Sequence, residues 1–376
     1  MRIRRFFLLG ALFAASGGAA VACQVLAGID DRSVWVAEAG GSDAALGVDG
    51  DLCRTANVPA APDLSTSSPA DALDYLTVLS ELHLGVGPDA GGPYGFNLDR
   101  ACTCPEKDTC VRGLGANGKT LDAACDDPGG IDNTGKPLFG LFASGNLISE
   151  ATLNTAIHNG LSGVFLRMRY YNGLPDDAQV QVSIYASLGY EGYPDASPKF
   201  DGTDPWRVQS ASLIADDLNN PRYVTNSAYV RGGTMVASLK FPIIIGSKGL
   251  DPIVIDLQSG LIAAKLELSG TTLVRMNGVI AGRWEISHML TSLQAVADPL
   301  KPTERLCGAN ATYQVIKPKI CEYVDIAADP TDDGTGVCNA LSIGLGFESK
   351  PALFGAVRTP PEAGTPCGAT YTDTCP

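Results

Sequence analysis

Two neighbouring stretches decide the fold: GVFLRMRYY (163–171) and AQVQVSIYA (178–186). In the first, Val164, Leu166, Met168 and Tyr170 alternate with Phe165, Arg167 and Arg169. In the second, Val180, Val182 and Ile184 alternate with Gln179, Gln181, Ser183 and Tyr185. Successive strand side chains point to opposite faces, so a period of two with one polar side predicts half-buried antiparallel strands. Asn172-Gly173 stands where the turn between them is needed.

The same period recurs in TMVASLKF (234–241), in PIVIDLQ (252–258) and in LIAAKLEL (261–268), where Ile262, Ala264, Leu266 and Leu268 share a side. TTLVRMNGVIAGRW (271–284) reads as a further strand with a glycine bend, and Leu341, Ile343, Leu345 and Phe347 as a last one. No helical pattern separates these strands, which disfavours a parallel βαβ arrangement. The expected fold class is mainly β with flanking helices: an antiparallel β-sandwich or flattened barrel.

Helical signals lie at the ends of this region. Ser68-Pro69 ahead of a stripe of Leu73, Leu76, Leu79 and Leu82, closed by Gly85, predicts an amphipathic helix. Another is expected over 149–159 before Gly160. A third carries Ile286, Met289, Leu290 and Leu293, and a short one spans KPKICEYVDIA (317–327).

Eleven cysteines punctuate the chain. Cys23 follows an N-terminus built as an export signal: Arg2, Arg4 and Arg5, an apolar run from Phe6 to Ala15, then Ala20-Val21-Ala22. This start resembles bacterial lipoproteins, in which the cysteine after the cleavage site is acylated. Ala20 departs from their usual Leu. Arg4-Arg5 with Phe7-Leu8 also fits a twin-arginine signal, but the cysteines favour folding after export in an oxidising compartment.

Setting Cys23 aside leaves ten cysteines: Cys53, Cys102, Cys104, Cys110 and Cys125 before the strand region, and Cys307, Cys321, Cys338, Cys367 and Cys375 after it. Five on each side cannot all pair within their own group. At least one disulfide is therefore expected to join the two flanks across the cysteine-free stretch 126–306.

The resulting organisation is a signal peptide (1–22), a lipid anchor and flexible acidic tether (23–70), a cysteine-rich flank (71–138), an antiparallel β domain with helical ends (139–300) and a cysteine-rich C-terminal flank (301–376). The start Cys23-Gln24-Val25, YGFNLDRACTC (94–104), GIDNTGK (130–136) and YNGLPDDAQVQVSIYA (171–186) together resemble secreted lipoproteins of myxobacterial type. That resemblance implies an outer-membrane lipoprotein, on its periplasmic or surface face, and no particular activity.

Formal net charge is −14, and more negative still without the leading arginines. Such a surface repels phosphate backbones, so nucleic acid is not an expected partner. GLGANGKT (113–120) matches the phosphate-loop pattern G-x-x-x-x-G-K-[ST]. Neither the preceding buried strand nor the following helix that the motif requires is present around it, so no nucleotide is expected either.

Two kinds of binding residue remain. Aspartate-rich turns gather Asp126, Asp127, Asp132 and Asn133, and separately Asp329, Asp332 and Asp333, oxygen donors suited to a structural calcium ion. The long loop 189–208 groups Tyr190, Tyr193 and Trp206 with Asp201 and Asp204, aromatic faces beside carboxylates that suit a glycan. His83, His158 and His288 fall in three separate predicted helices and are read as surface or cap residues rather than ligands. No H-E-x-x-H, G-x-S-x-G or S-x-x-K motif occurs. The sequence favours a non-enzymatic envelope lipoprotein, a binding or structural module attached through its lipid and contacting a glycan or an envelope protein. An exported carboxylate-dependent hydrolase acting on polysaccharide is the alternative.

Overall fold

The computed structural model describes residues 55–66, 73–86, 92–104, 109–113, 124–145, 147–247, 250–360, 367–368 and 371–375. The expected signal peptide, Cys23, most of the tether, Cys53 and all of GLGANGKT after Gly113 lie outside the described residues.

In chain order the strands are β1 (Leu73–His83), β2 (Gly163–Tyr171), β3 (Asp177–Tyr190), β4 (Pro205–Gln209), β5 (Leu213–Ile214), β6 (Asp217–Pro221) and β7 (Tyr223–Arg231). There follow β8 (Thr234–Ser247), β9 (Leu250–Ser269), β10 (Thr272–Glu285), β11 (Ala297–Asp298), β12 (Lys301–Arg305), β13 (Ala340–Pro351) and β14 (Leu353–Arg358). The helices are α1 (Gly135–Ser144), α2 (Glu150–His158), α3 (Ile286–Leu293) and α4 (Ala311–Cys321).

Eight strands close into one antiparallel barrel in the order β1-β2-β3-β7-β8-β9-β10-β13, with β13 pairing back onto β1. Every neighbour around the barrel is the next barrel strand along the chain, so the topology is a simple meander, and closure leaves no open edge among these strands. A barrel of this size has an interior just wide enough to be filled by side chains. Met168, Val182, Val230, Met235, Phe241, Ile262, Met276 and Leu345 fill it, all fully buried.

The period of two survives with local corrections. Tyr170 adopts a positive φ of 64° and is 48% exposed, so Tyr171, 1% exposed, takes the inward position instead. Along β9 the inward residues switch from Ile255 and Leu257 to Ile262, Ala264 and Leu266. Ser259, with φ 50°, lies where this parity changes, and the register with β10 steps there too. One extra residue in a strand shifts which side chains face inward, so 252–258 and 261–268 form one bulged strand rather than two.

Residues 73–83, expected as a helix, are strand β1. The leucine stripe at spacing three suits either structure once both strand faces are covered. Tyr75 and Leu79 point into the barrel, whereas Val78 packs outside it with Phe165, Tyr185, Trp206 and Val208. This outer layer is built by β4 and β14, which pair in parallel in a sheet otherwise antiparallel. A second outer layer places Phe96 against Val236, Ala263, Val279 and Ala281. Gly344 and Gly346 of β13 let the chain at Tyr94 lie flat there: a Cβ on Gly344 would sit 2.1 Å from the Tyr94 carbonyl oxygen, and one on Gly346 2.3 Å from its ring.

The boundaries at 139 and 300 do not delimit the barrel, because β1 comes from the N-terminal flank and β13 from the C-terminal one. Residues 55–66 are likewise not loose tether. The Ala56 amide donates to the Gly129 carbonyl (3.0 Å) and the Asn97 amide to the Ala56 carbonyl (2.9 Å); the Tyr229 hydroxyl donates to the Pro59 carbonyl. Helix α3 buries the four residues its spacing singled out. Helix α2 starts on a Ser149–Thr152 capping box. Helix α1 carries no signal recognised in the sequence, and α4 begins six residues ahead of the expected 317.

The flanks are joined as cysteine parity requires. Cys110–Cys338 bridges them, alongside Cys104–Cys125, Cys307–Cys367 and Cys321–Cys375. Cys102 is also disulfide-bonded. Around the bridging disulfide, the Val111 amide donates to the Gly336 carbonyl and the Cys338 amide to the Val111 carbonyl, both at 2.9 Å. The buried Arg112 donates to the carbonyls of Val324 (3.1 Å) and Glu322 (2.6 Å).

Candidate functional site

Among the described residues the barrel interior is occupied by apolar side chains, and a cavity under α2 lined by Leu79, Leu82, Leu153 and Ile157 measures about 10 Å³, room for at most one water. The site with the most chemistry lies outside the barrel, where α2 meets the end of β1.

Strand β2 pairs with β1 only as far as Val78. Beyond it, side chains of α2 stand in for the missing strand. Asn154 accepts from the Leu82 amide and donates to the Leu82 carbonyl, both at 2.9 Å. Glu150 accepts from the Leu84 amide through Oε2 at 2.7 Å. Glu150, Asn154 and His158 are spaced by four, so they share one helical face, and that face is laid along β1.

A register step between Leu79 and Glu81 inserts Ser80. Leu79 and Leu82 consequently both face the core, while Glu81 and His83 stand on the outer surface with 41% and 24% side-chain exposure. His83 Nδ1 lies 3.2 Å from Glu150 Oε1. The ring's second nitrogen, Nε2, is turned toward Glu81 instead. That Nε2 is 3.7 Å from Glu81 Oε2, and His158 Nε2 is 3.9 Å from Glu81 Oε1. Two imidazoles thus converge on one carboxylate. The His83 ring stacks on Tyr94 (5.9 Å between centroids), and the His158 ring meets Phe200 edge to face (6.3 Å).

Phe200 belongs to the long loop singled out for its aromatics. Tyr190 and Tyr193 are partly exposed there, and Asp201 is exposed. Asp201 accepts from the amide (3.0 Å) and hydroxyl (2.6 Å) of Thr203, and these bonds hold its carboxyl below the usual range. Trp206 and Asp204 depart from the expected platform. Trp206 is fully buried on β4, where it braces Tyr190 and Phe200 from beneath and presents no face to a ligand. Asp204, also buried, accepts from the Lys199 and Phe200 amides, holding the loop's turn.

The aspartate turns are spent on internal contacts. Asp127 pairs with Lys136 at 3.1 Å. Asn133 bonds the Tyr94 and Gly344 carbonyls and the Gly344 amide. Asp329 caps the turn at Thr331, and Asp333 grips the buried Arg283 through both oxygens at 2.7 and 2.6 Å; Asp332 sits in that same exposed turn.

Asp126 and Asp132 form a proton-sharing pair. Burial, then the charges of Asp99, Asp325 and Asp126, pushes Asp132 up to about 9. Burial also raises Asp126 to about 6, against the Thr103 amide that it accepts at 2.8 Å. Asp325, raised to about 6 by burial, accepts from the Ser342 amide and hydroxyl and the Thr134 hydroxyl. Among the described residues no group of three or more His, Cys, Asp or Glu side chains stands ready-set to hold a metal ion.

His288 lies apart, on α3, 3.2 Å from Asp256. The sequence did not reveal that His83 and His158 both meet Glu81, because 73–83 reads as helix and Ser80 carries no mark of a bulge. No family model matches the chain, and no curated protein or solved structure is similar to it.

Proposed function

We propose that this chain is an exported lipoprotein of the bacterial outer envelope, acylated at Cys23, whose barrel acts as a non-enzymatic binding module for a glycan. The observation that carries the reading is the rim formed by Tyr190, Tyr193 and Phe200: partly exposed aromatics on a loop stiffened by Asp204 and by buried Trp206. Rigid aromatic faces bind sugar rings with little loss of conformational freedom.

Three further features support it. Disulfides are at home outside the cytosol. The barrel is apolar inside and carries Arg167, Gln179, Lys240 and Lys265 outside, the reverse of a membrane-spanning barrel, so attachment falls to the lipid. The filled lumen leaves recognition to the surface. The hydrolase alternative would rest on Asp126 and Asp132, yet Asp132 is 4% exposed and its carboxyl is engaged by the Leu98 and Asp99 amides.

A glycan array probed with the wild type and Tyr193→Ala, with turnover of the captured glycan followed in parallel, tests the reading. Capture that Tyr193→Ala abolishes, without cleavage, supports it. Cleavage lost in Asp126→Asn, or capture indifferent to Tyr193, overturns it. Loss of membrane association in Cys23→Ser tests the anchor.

A further inference from the structure

We infer that the glycan site continues beyond the aromatic loop, across His158 onto β1, and that Glu81 sets its specificity: the Glu81 carboxylate accepts from two vicinal hydroxyls of a neutral pyranose. The inference rests on the glycan reading above and names the sugar class that reading leaves open.

The link is a row of contacts. Phe200 of the loop meets the His158 ring edge to face at 6.3 Å, and His158 Nε2 stands 3.9 Å from Glu81 Oε1. Across that carboxylate, His83 Nε2 stands 3.7 Å from Oε2, and the His83 ring stacks on partly exposed Tyr94. Glu81 therefore meets two imidazoles, each backed by an aromatic ring. Both separations are longer than a hydrogen bond, so neither imidazole occupies the carboxylate oxygens. The Glu81 side chain is 41% exposed, which leaves those oxygens within reach of a ligand.

The row is held from behind. Phe200 has φ 56°, a conformation that a bulky residue rarely adopts. Asp204 keeps it there by accepting from the Lys199 and Phe200 amides at 2.8 and 2.5 Å, and Trp206 supports the ring at 5.8 Å. His83 is held at its other nitrogen by Glu150, and Glu150 by the Leu84 amide. Backbone strain maintained by surrounding contacts is characteristic of ligand clamps, and a ring already in place loses little freedom when a sugar stacks on it.

The chemistry selects the sugar. A pyranose offers an apolar C–H face to Phe200 and, at its edge, adjacent hydroxyls that can meet the two oxygens of one carboxylate. Carboxylate oxygens accept and do not donate, so hydroxyls satisfy them, whereas the carboxylate of a uronic acid is repelled. The chain's formal charge of −14 adds to that repulsion.

An array printed with neutral hexose oligosaccharides, their uronic-acid counterparts and forms O-methylated at the vicinal hydroxyls tests the assignment. The wild type is expected to capture the neutral glycans, to reject the uronates and to lose capture on O-methylation. Glu81→Gln, at an exposed position, is expected to weaken neutral capture about 10- to 100-fold and to narrow the gap between neutral and uronate glycans; Phe200→Ala should weaken both alike. Capture abolished by Tyr193→Ala yet unchanged in Glu81→Gln overturns the subsite and leaves the glycan reading standing. So does wild-type capture that prefers uronates or is indifferent to O-methylation. No capture by the wild type overturns both.

Discussion

Replacing Asp132 by Asn should make the protein more stable at neutral pH, which is unusual for a buried, hydrogen-bonded carboxyl. The folded chain holds the Asp132 proton up to about 9, against an ordinary value of 3.8. A carboxyl raised on folding gives the folded state more bound protons than the unfolded one between those two values. Its contribution to stability is therefore complete below pH 3.8 and is lost as pH rises toward 9. Each pH unit in that window costs about 1.4 kcal/mol per proton, so the loss accumulated by pH 7 has an upper bound of about 4 kcal/mol. Asp126 is raised as well and shares the proton, so a gain of about 2 kcal/mol is the reasonable expectation for Asp132→Asn.

The substitution keeps the local geometry. The Asn carbonyl can accept from the Leu98 and Asp99 amides as Asp132 Oδ2 does, and its amide group can donate toward Asp126 where the carboxyl proton stood. Urea unfolding at pH 5, 7 and 8.5, read by the fluorescence of buried Trp206 and Trp284, measures both the gain and the change in slope. The wild type should lose stability with rising pH, and the variant should lose less. If Asp132→Asn is instead destabilised at pH 7, and calcium restores the wild type but not the variant, Asp132 is an ionised ligand and the assignment of a retained proton is wrong.

Other consequences concern the joined flanks. Removing the Cys110–Cys338 bridge with a Cys110→Ser/Cys338→Ser pair opens a sequence separation of 228 residues, and loop entropy predicts a loss of about 5 kcal/mol, reduced by the cross-links nested within it; calorimetry of oxidised protein would show a normal melting temperature if the bridge is dispensable. Arg283→Ala removes a guanidinium bound to Asp333 and to the carbonyls of Ala327 and Leu98, and leaves a carboxylate without its counter-charge at a cost of about 3–5 kcal/mol. A double-mutant cycle with Asp333→Ala checks the pairing, because simple additivity of the two losses would mean the contact is not coupled.

The barrel was legible because its interior is apolar and much of its surface is polar. Val164, Leu166 and Met168 of β2 and Ile262, Ala264 and Leu266 of β9 mark the inner wall through nothing but alternation. The flank-to-flank disulfide was legible by counting alone. Strand β1 was not, because Val78 and Leu79 are buried on opposite faces, and a strand covered on both sides has no period for a sequence to display. Trp206 failed for a related reason: an aromatic in a polar loop looks available, and only the outer layer of β4 and β14 makes it a core residue.

The histidine site fell between these cases, and a single residue explains why. Had β1 kept strict alternation past Leu79, Glu81 would face the core and Leu82 the solvent. Insertion of Ser80 reverses both, giving the barrel Leu82 and giving the surface an acid and a histidine two positions apart on the same side. Helix α2 then completes the arrangement only because Asn154 grips the backbone of Leu82, which fixes Glu150 one turn before it and His158 one turn after. Neither the bulge nor the docking contact leaves a local signature in the chain. The site is therefore a property of the register between β1 and β13 and of where β2 stops, and it becomes visible only once the barrel has closed.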